Sequence, residues 1–253
     1  MEMRSQLLPK LKSLRLSGIL ETLEVRNRQA IEEKCAYTEF LLKLVEDEVE
    51  RRGQKQLSLR LRRSRLDPMK TLETFDFGFN SSINRQQIYD LATCAFIERS
   101  EPLFLLGPAG VGKSHIAQAL GHESVRRGYD VVFTRASEML QHLHGGRADG
   151  SYARRLALYQ NVDVLIVDDF GLKPMRPPAP EDLYEVIDGR YGKGGIVLTS
   201  NRAFDEWPEL FDNSVLASAA LDRLAHGANQ IVIEGDSYRS KGPRGRKEAL
   251  VRA

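Results

Sequence analysis

Cysteine is scarce in this chain of 253 residues: Cys35 and Cys94 are the only two, and they fit neither a metal-ligand nor a redox spacing. That argues against a disulfide-stapled secreted scaffold and a zinc module, and marks the pair as reduced small hydrophobes of an intracellular protein. No apolar run approaches the ~18 residues of a membrane span, and the N-terminus lacks the apolar core of a signal peptide. No internal repeat is found. A large excess of either charge is also missing, with a formal net charge of +2, so only the distribution of charge is informative. Aromatic residues make up 8% of the chain, and few of them fall among its basic clusters. Platforms that stack single-stranded nucleic acid need aromatics there. The length and the 42% hydrophobic fraction suit one α/β domain plus a smaller one.

What is present is organised around Gly107-Pro108-Ala109-Gly110-Val111-Gly112-Lys113-Ser114, which fits the phosphate-loop pattern G-x-x-x-x-G-K-[ST]. Leu103 to Leu106 before it reads as a buried strand, and His115 to Val125 after it as a helix, the setting the motif requires. Its glycines let backbone N–H groups approach phosphate oxygens, and the helix N-terminus adds partial positive charge. Lys113 would neutralise the β- and γ-phosphates, and the Ser114 hydroxyl would hold Mg²⁺. Val164-Leu165-Ile166-Val167-Asp168-Asp169 is the companion signature, an apolar strand whose end delivers two acids to the crevice beside the loop. Asp168 would coordinate Mg²⁺, and Asp169 would orient and deprotonate the attacking water. Ile196 to Thr199 reads as a further strand, and Asn201 at its tip either holds the lytic water or γ-phosphate or simply turns the loop.

Residues 1–67 read as an amphipathic helical module, with Pro9, Gly18 and Gly53 as breakers. Thr38 is the expected cap of a helix that carries Phe40, Leu41, Leu44, Val45 and Val49 on one face. Arg51, Arg52, Lys55, Arg60, Arg62, Arg63, Arg65 and Lys70 form a basic run that either contacts a phosphate backbone or is a solvated helix face. Asp67-Pro68 marks the domain boundary. Phe75, Phe77 and Phe79 either line a base pocket or pack on the sheet, ahead of a helix over 85–98. Val131 to Phe133 is a strand, and Gly145 to Gly150 a flexible break. Arg147, Arg154 and Arg155 make a second basic cluster, open to the same two readings. A short helix over 219–225 exposes Arg223, Ile231 to Ile233 forms a last strand, and residues 239–253 form a basic tail with Lys241, Arg244, Arg246, Lys247 and Arg252.

These stretches, with Thr199-Ser200-Asn201-Arg202, Leu221-Asp222-Arg223-Leu224 and Ser237-Tyr238-Arg239, resemble the AAA+ ATPases and, within them, the IstB/DnaC group. The likeness is greatest to the IstB-like transposition helpers and covers nearly the whole chain. It implies a five-stranded parallel sheet with flanking helices over 68–238, preceded by a small helical domain. It also implies that the nucleotide lies on Gly107 to Ser114 and His115, and that subunits assemble with ATP at their interfaces. Arg223 would be a trans-acting arginine finger and Arg239 a second nucleotide-sensing arginine, in cis or in trans. The chain departs from the general plan in ending soon after Arg239, which leaves no room for a C-terminal lid domain. Many of these ATPases carry Glu where Asp169 stands, and Asp is one methylene shorter.

The resemblance therefore implies a Mg²⁺-dependent ATPase of the bacterial cytoplasm that assembles as a homo-oligomer on duplex DNA and assists a cognate transposase. The resemblance also raises the duplex-contact reading of both basic clusters. Two alternatives share the scaffold: a DnaC-like helicase loader that prefers single strands, and a module that binds ATP and DNA without hydrolysis. A small-molecule kinase would need a lid and an acceptor pocket, and would leave the helical module and the tail unexplained.

Overall fold

The computed structural model describes residues 2–241; the tail residues Arg244, Arg246, Lys247 and Arg252 lie outside the described residues. The chain divides into two compact units, Met1–Leu59 and Arg60–Ala253. The division falls before the expected Asp67-Pro68 boundary, because residues just past Leu59 already bond to the second unit. The Asp67 amide, for example, donates to Gln118 Oε1 at 2.8 Å.

The first unit holds α1 (Glu2–Ser13), α2 (Ser17–Glu33) and most of α3 (Tyr37–Ser64). Leu11, Ile19 and Leu44 form its core, with Leu16, Leu20, Leu23 and Phe40 packed around them. The expected breakers do not break: Pro9, Gly18 and Gly53 all lie within helices. A lone glycine costs a helix only about 1 kcal/mol. The turns fall instead near Arg15 and Lys34, which take left-handed backbone at φ 56° and 52°. Thr38 lies inside the first turn of α3 rather than at its cap. Of the apolar face expected on α3, Leu44 is buried, whereas Leu41, Val45 and Val49 are exposed. The start of α2 is capped from α3, with the Glu48 carboxylate accepting from Gly18 N at 2.6 Å and Ile19 N at 3.3 Å. Burial alone would raise the Glu48 pKa, but Arg52 and these amides outweigh it and hold the group low.

The second unit is built on five parallel strands, β1 (Leu103–Leu106), β2 (Val131–Arg135), β3 (Val164–Phe170), β4 (Gly195–Ser200) and β5 (Asn229–Val232), in the order β2-β3-β4-β1-β5. Ahead of β1, the helix expected over 85–98 is two pieces, α4 (Arg85–Leu91) and α5 (Ala95–Glu98), separated at Cys94, where φ is 68°. The crossovers are α6 (Lys113–Arg126) after β1, α7 (Ala136–Ala148) and α8 (Tyr152–Gln160) after β2, α9 (Ala179–Arg190) after β3 and α10 (Ser214–Ala225) after β4. β1 is buried along its whole length and so is all of β3 but Asp169, as expected for strands covered on both faces. Leu165 and Val167 join the large core under α7, α9 and α10, while Ile166 between them points the other way, towards Gly121 of α6.

The break expected over Gly145 to Gly150 is narrower, confined to residues 149–151 between α7 and α8, where Gly150 takes left-handed backbone at φ 71°. The helix α7 continues through Gly145 and Gly146, whose missing side chains make room for α8: a Cβ on Gly146 would stand 2.9 Å from Tyr152 Cα. Buried Arg190 pins the start of β3 and β4, donating to Tyr159 O and Val162 O at 2.8 Å each and to Gly195 O at 2.6 Å. No helix among the described residues is long and apolar enough to cross a membrane.

Candidate nucleotide-binding site

The phosphate loop connects β1 to α6 and holds left-handed backbone at Gly107, Gly110 and Gly112, at φ 139°, 85° and 108°. Side chains are excluded there: a Cβ on Gly107 would lie 2.0 Å from Ile233 O, and one on Gly110 2.0 Å from Ser237 Oγ. The segment after β5 thus runs against the loop, and the Tyr238 amide donates to Gly110 O at 2.9 Å. Phe75 closes another side, its ring edge-on to both Phe77 and His115. Phe77 stacks with Tyr89, and Phe79 meets Tyr238 edge-on. The three phenylalanines therefore pack on one another's neighbours beside the loop.

Lys113 is buried, and its ammonium donates to Gly107 O, Pro108 O and Asn201 Oδ1, each at 2.7 Å. Burial lowers its pKa, against the pull of Asp168 and Asp169. Asn201 is thus brought to the loop, as its position after β4 suggested. Ser114 Oγ has no hydrogen-bond partner among the described residues. His115 bonds through Nε2 to Thr71 O at 2.9 Å and lies near Thr74 Oγ1 at 3.3 Å. Burial holds its pKa below the ordinary 6.5.

The two acids sit at an irregularity that no pattern in the sequence announces. The β3–β4 register passes from Val167 opposite Leu198 to Phe170 opposite Ser200, so Asp168 and Asp169 together face Thr199. Asp169 takes left-handed backbone at φ 57° to make the bulge. Thr199 serves both residues, its hydroxyl donating to Asp168 Oδ1 and accepting from Asp169 N, the latter at 3.1 Å. Sequence reasoning assigned Thr199 no role; a hydroxyl near the end of an otherwise apolar strand was the available signal. Burial raises the Asp169 pKa, helped by the charge of Asp168 and opposed by Arg135, Lys113 and Arg239.

Arg239 is exposed, and its positive charge bears on Lys113 and Asp169 of the same chain, so it lies on the phosphate-loop side of the sheet. Arg223 lies elsewhere. It lines a cleft of ≈ 340 Å³ with Glu101, Pro102 and Gly194, residues that lead into β1 and β4, whereas the phosphate loop follows the opposite end of β1. Expected to be exposed, Arg223 is instead half-buried and held: its Nε is 2.9 Å from Asp188 Oδ1 and its Nη1 donates to Ala219 O at 2.7 Å.

The basic clusters are more engaged than a charge count suggests. Arg51 pairs with Glu21, Arg52 with Glu48, Arg60 with Asp130, Arg147 with the fully buried Asp182 and Arg155 with Asp149. Lys55, Arg62, Arg63, Arg65 and Arg154 are exposed and make no ion pair among the described residues. Arg60, Arg62, Arg63 and Arg65 line a cleft of ≈ 440 Å³ with the apolar Val131, Val132, Leu158 and Val162.

A divalent ion fits the hydroxyl and carboxylate oxygens of Ser114 and Asp168, which are hard donors. No group of three His, Cys, Asp or Glu suited to a metal occurs among the described residues, so such an ion would lean on nucleotide phosphates.

A parallel sheet of this order, with a phosphate loop after β1, paired acids at the end of β3 and an asparagine after β4, is the fold of the AAA+ P-loop ATPases. Among solved structures, AMPPCP-bound DnaA from Aquifex aeolicus is 27% identical with a TM-score of 0.55, covering 75% of this chain and 56% of that one. The fold also matches the DnaC helicase loader at 23% identity and a TM-score of 0.53, over 61% of this chain and 91% of that one. The chain belongs to the IstB-like ATP binding protein family, whose sequence profile matches residues 9–246. A protein named as an ATP-binding protein in an insertion sequence of Mycobacterium tuberculosis is 43% identical over 93% of this chain and 94% of its own length. The insertion sequence IS21 ATP-binding protein of Pseudomonas aeruginosa is 40% identical over 94% of this chain and 89% of its own.

Proposed function

We propose that this ATP-binding protein is a Mg²⁺-dependent ATPase that assembles on duplex DNA in the bacterial cytoplasm and there assists the transposase of its insertion sequence. The observation that carries the reading is the division of the nucleotide machinery between the two ends of β1. Lys113, Asp168, Asp169, Asn201 and Arg239 gather at the end that carries the phosphate loop, and Arg223 lies beside the other. Arg223 lies away from the phosphate loop of its own chain, so as a finger it would have to act on the nucleotide of a second copy.

Within one protomer, nucleotide phosphates would take over the Lys113 ammonium from the carbonyls of Gly107 and Pro108. Asn201, now holding that ammonium, would be released to orient water. Mg²⁺ held by Ser114 and Asp168 would supply charge neutralisation on the phosphates. Asp169, its pKa raised by burial, would accept the proton of the attacking water more readily than an exposed carboxylate. Arg223 of the next protomer would stabilise the charge that builds on the γ-phosphate, which couples turnover to assembly. Arg62, Arg63, Arg65 and Arg154 are available to phosphate backbone without breaking an ion pair, and such contacts give affinity without sequence choice. The insertion-sequence origin of the relatives supports a transposase as the protein partner.

Sedimentation with a non-hydrolysable ATP analogue, on duplex and on single-stranded DNA, tests the proposal. Large nucleotide-dependent complexes on duplex are expected, lost in Lys113→Ala. In Arg62→Ala/Arg63→Ala/Arg65→Ala the slope of log affinity against log salt should fall by about 1 for each phosphate contact removed. Complexes confined to single strands would replace this reading with helicase loading, and absence of turnover in the duplex complexes would reduce it to a binding module.

A further inference from the structure

We infer that Asp188 and Tyr184, one turn apart on α9, are positioning residues that hold Arg223 ready for the nucleotide of a second copy of this chain. The inference rests on the proposed trans role of Arg223 and assigns work to two residues that no motif marks. The guanidinium is gripped on three sides. Its Nε lies 2.9 Å from Asp188 Oδ1, its Nη1 donates to Ala219 O one turn back on α10 at 2.7 Å, and its Cζ stands 5.4 Å from the centre of the Tyr184 ring. Residues four apart on a helix share a face, so Tyr184 and Asp188 present a ring and a carboxylate to the same guanidinium. Nη2 makes no hydrogen bond among the described residues and is the edge left for a phosphate oxygen. The carboxylate charge of Asp188 sits beside Nε, and an incoming phosphate would meet the other edge of the guanidinium.

Stability does not account for the arrangement. Asp188 is 49% and Arg223 30% exposed, and ion pairs this open to water contribute little to a fold. What the grip does accomplish is to remove side-chain freedom before the second copy arrives. A freely swinging arginine would lose that freedom in the transition state, where it slows the reaction.

The test is ATP turnover by the duplex-assembled protein with Asp188→Ala, Asp188→Asn, Arg223→Ala and the Asp188→Ala/Arg223→Ala double variant. Misplacing the guanidinium is expected to lower kcat about tenfold in Asp188→Ala, with KM for ATP, assembly and thermal midpoint unchanged. Asp188→Asn keeps the shape of the side chain but not the charge of the ion pair, and its rate should fall between those of Asp188→Ala and the parent. The double variant should be no slower than Arg223→Ala alone, because Asp188 acts only through Arg223. A double variant slower by the product of the two single effects would overturn the inference, as would an Asp188→Ala defect in KM or stability in place of kcat. Arg223→Ala that destroys turnover beside a normal Asp188→Ala would sink the positioning role and leave the finger standing. Normal turnover in Arg223→Ala, or none in the unmodified protein, would sink both.

Discussion

Replacing Thr199 by Val tests the bulge at Asp168 and Asp169 directly. The change keeps the shape of the side chain and deletes the one hydroxyl that spans Asp168 and Asp169. Asp168 is 5% exposed and loses a charge-assisted bond that contributes about 1.5–3 kcal/mol; the Asp169 amide loses a neutral one near 1 kcal/mol. The total is roughly 3 kcal/mol, which for a domain of this size lowers the thermal midpoint by about 6–12 °C. The second effect is on chemistry. With no acceptor at Thr199, the left-handed backbone of Asp169 has lost its fastening, and turnover should drop well before nucleotide binding does. Thermal melts would be read beside fluorescent-nucleotide titration and steady-state hydrolysis, with Thr199→Ser, which keeps the hydroxyl, as the control. A Thr199→Val protein that melts and hydrolyses like its parent would refute the claim that this hydroxyl holds the bulge.

Two other perturbations probe the fold around the site. Arg190→Met leaves the carbonyls of Tyr159, Val162 and Gly195 without their buried donor, and should cost about 3–5 kcal/mol in a urea titration; a shift under ~1 kcal/mol would show that water replaces the guanidinium without loss. For His115, burial depresses the pKa below 6.5, so its contribution to stability is fully present above pH 6.5 and is lost as pH falls through the depressed value. The gap in thermal midpoint between the parent and His115→Gln should therefore shrink from pH 7.5 to pH 5, and a constant gap would contradict the depressed pKa.

The parts of the site that depend on residues adjacent in the chain were legible beforehand. Glycine spacing, the flanking strand and helix, and an apolar strand ending in two acids identify the phosphate loop and Asp168 without any tertiary contact. The bulge at Asp169 was not legible, since it arises from a register change between β3 and β4 that depends on two distant segments. The arginines show the same limit. Arg147 reads as solvent-facing cation until α9 brings up Asp182, and Arg223 until it brings up Asp188. Glycine misled as well: Gly145 and Gly146 were read as part of a break, yet they lie inside α7 and let α8 close on it.

Placing the phosphate loop and Arg223 at opposite ends of β1 gives each protomer a head and a tail. Contacts that join a head to a tail are not two-fold, so they propagate in one direction and generate rings or filaments rather than closed pairs. With Arg223 acting in trans, an open filament always contains one catalytic site fewer than it has subunits, and a closed ring has none to spare. Turnover per subunit would therefore rise with filament length, and a terminal protomer would keep its ATP longer than those behind it.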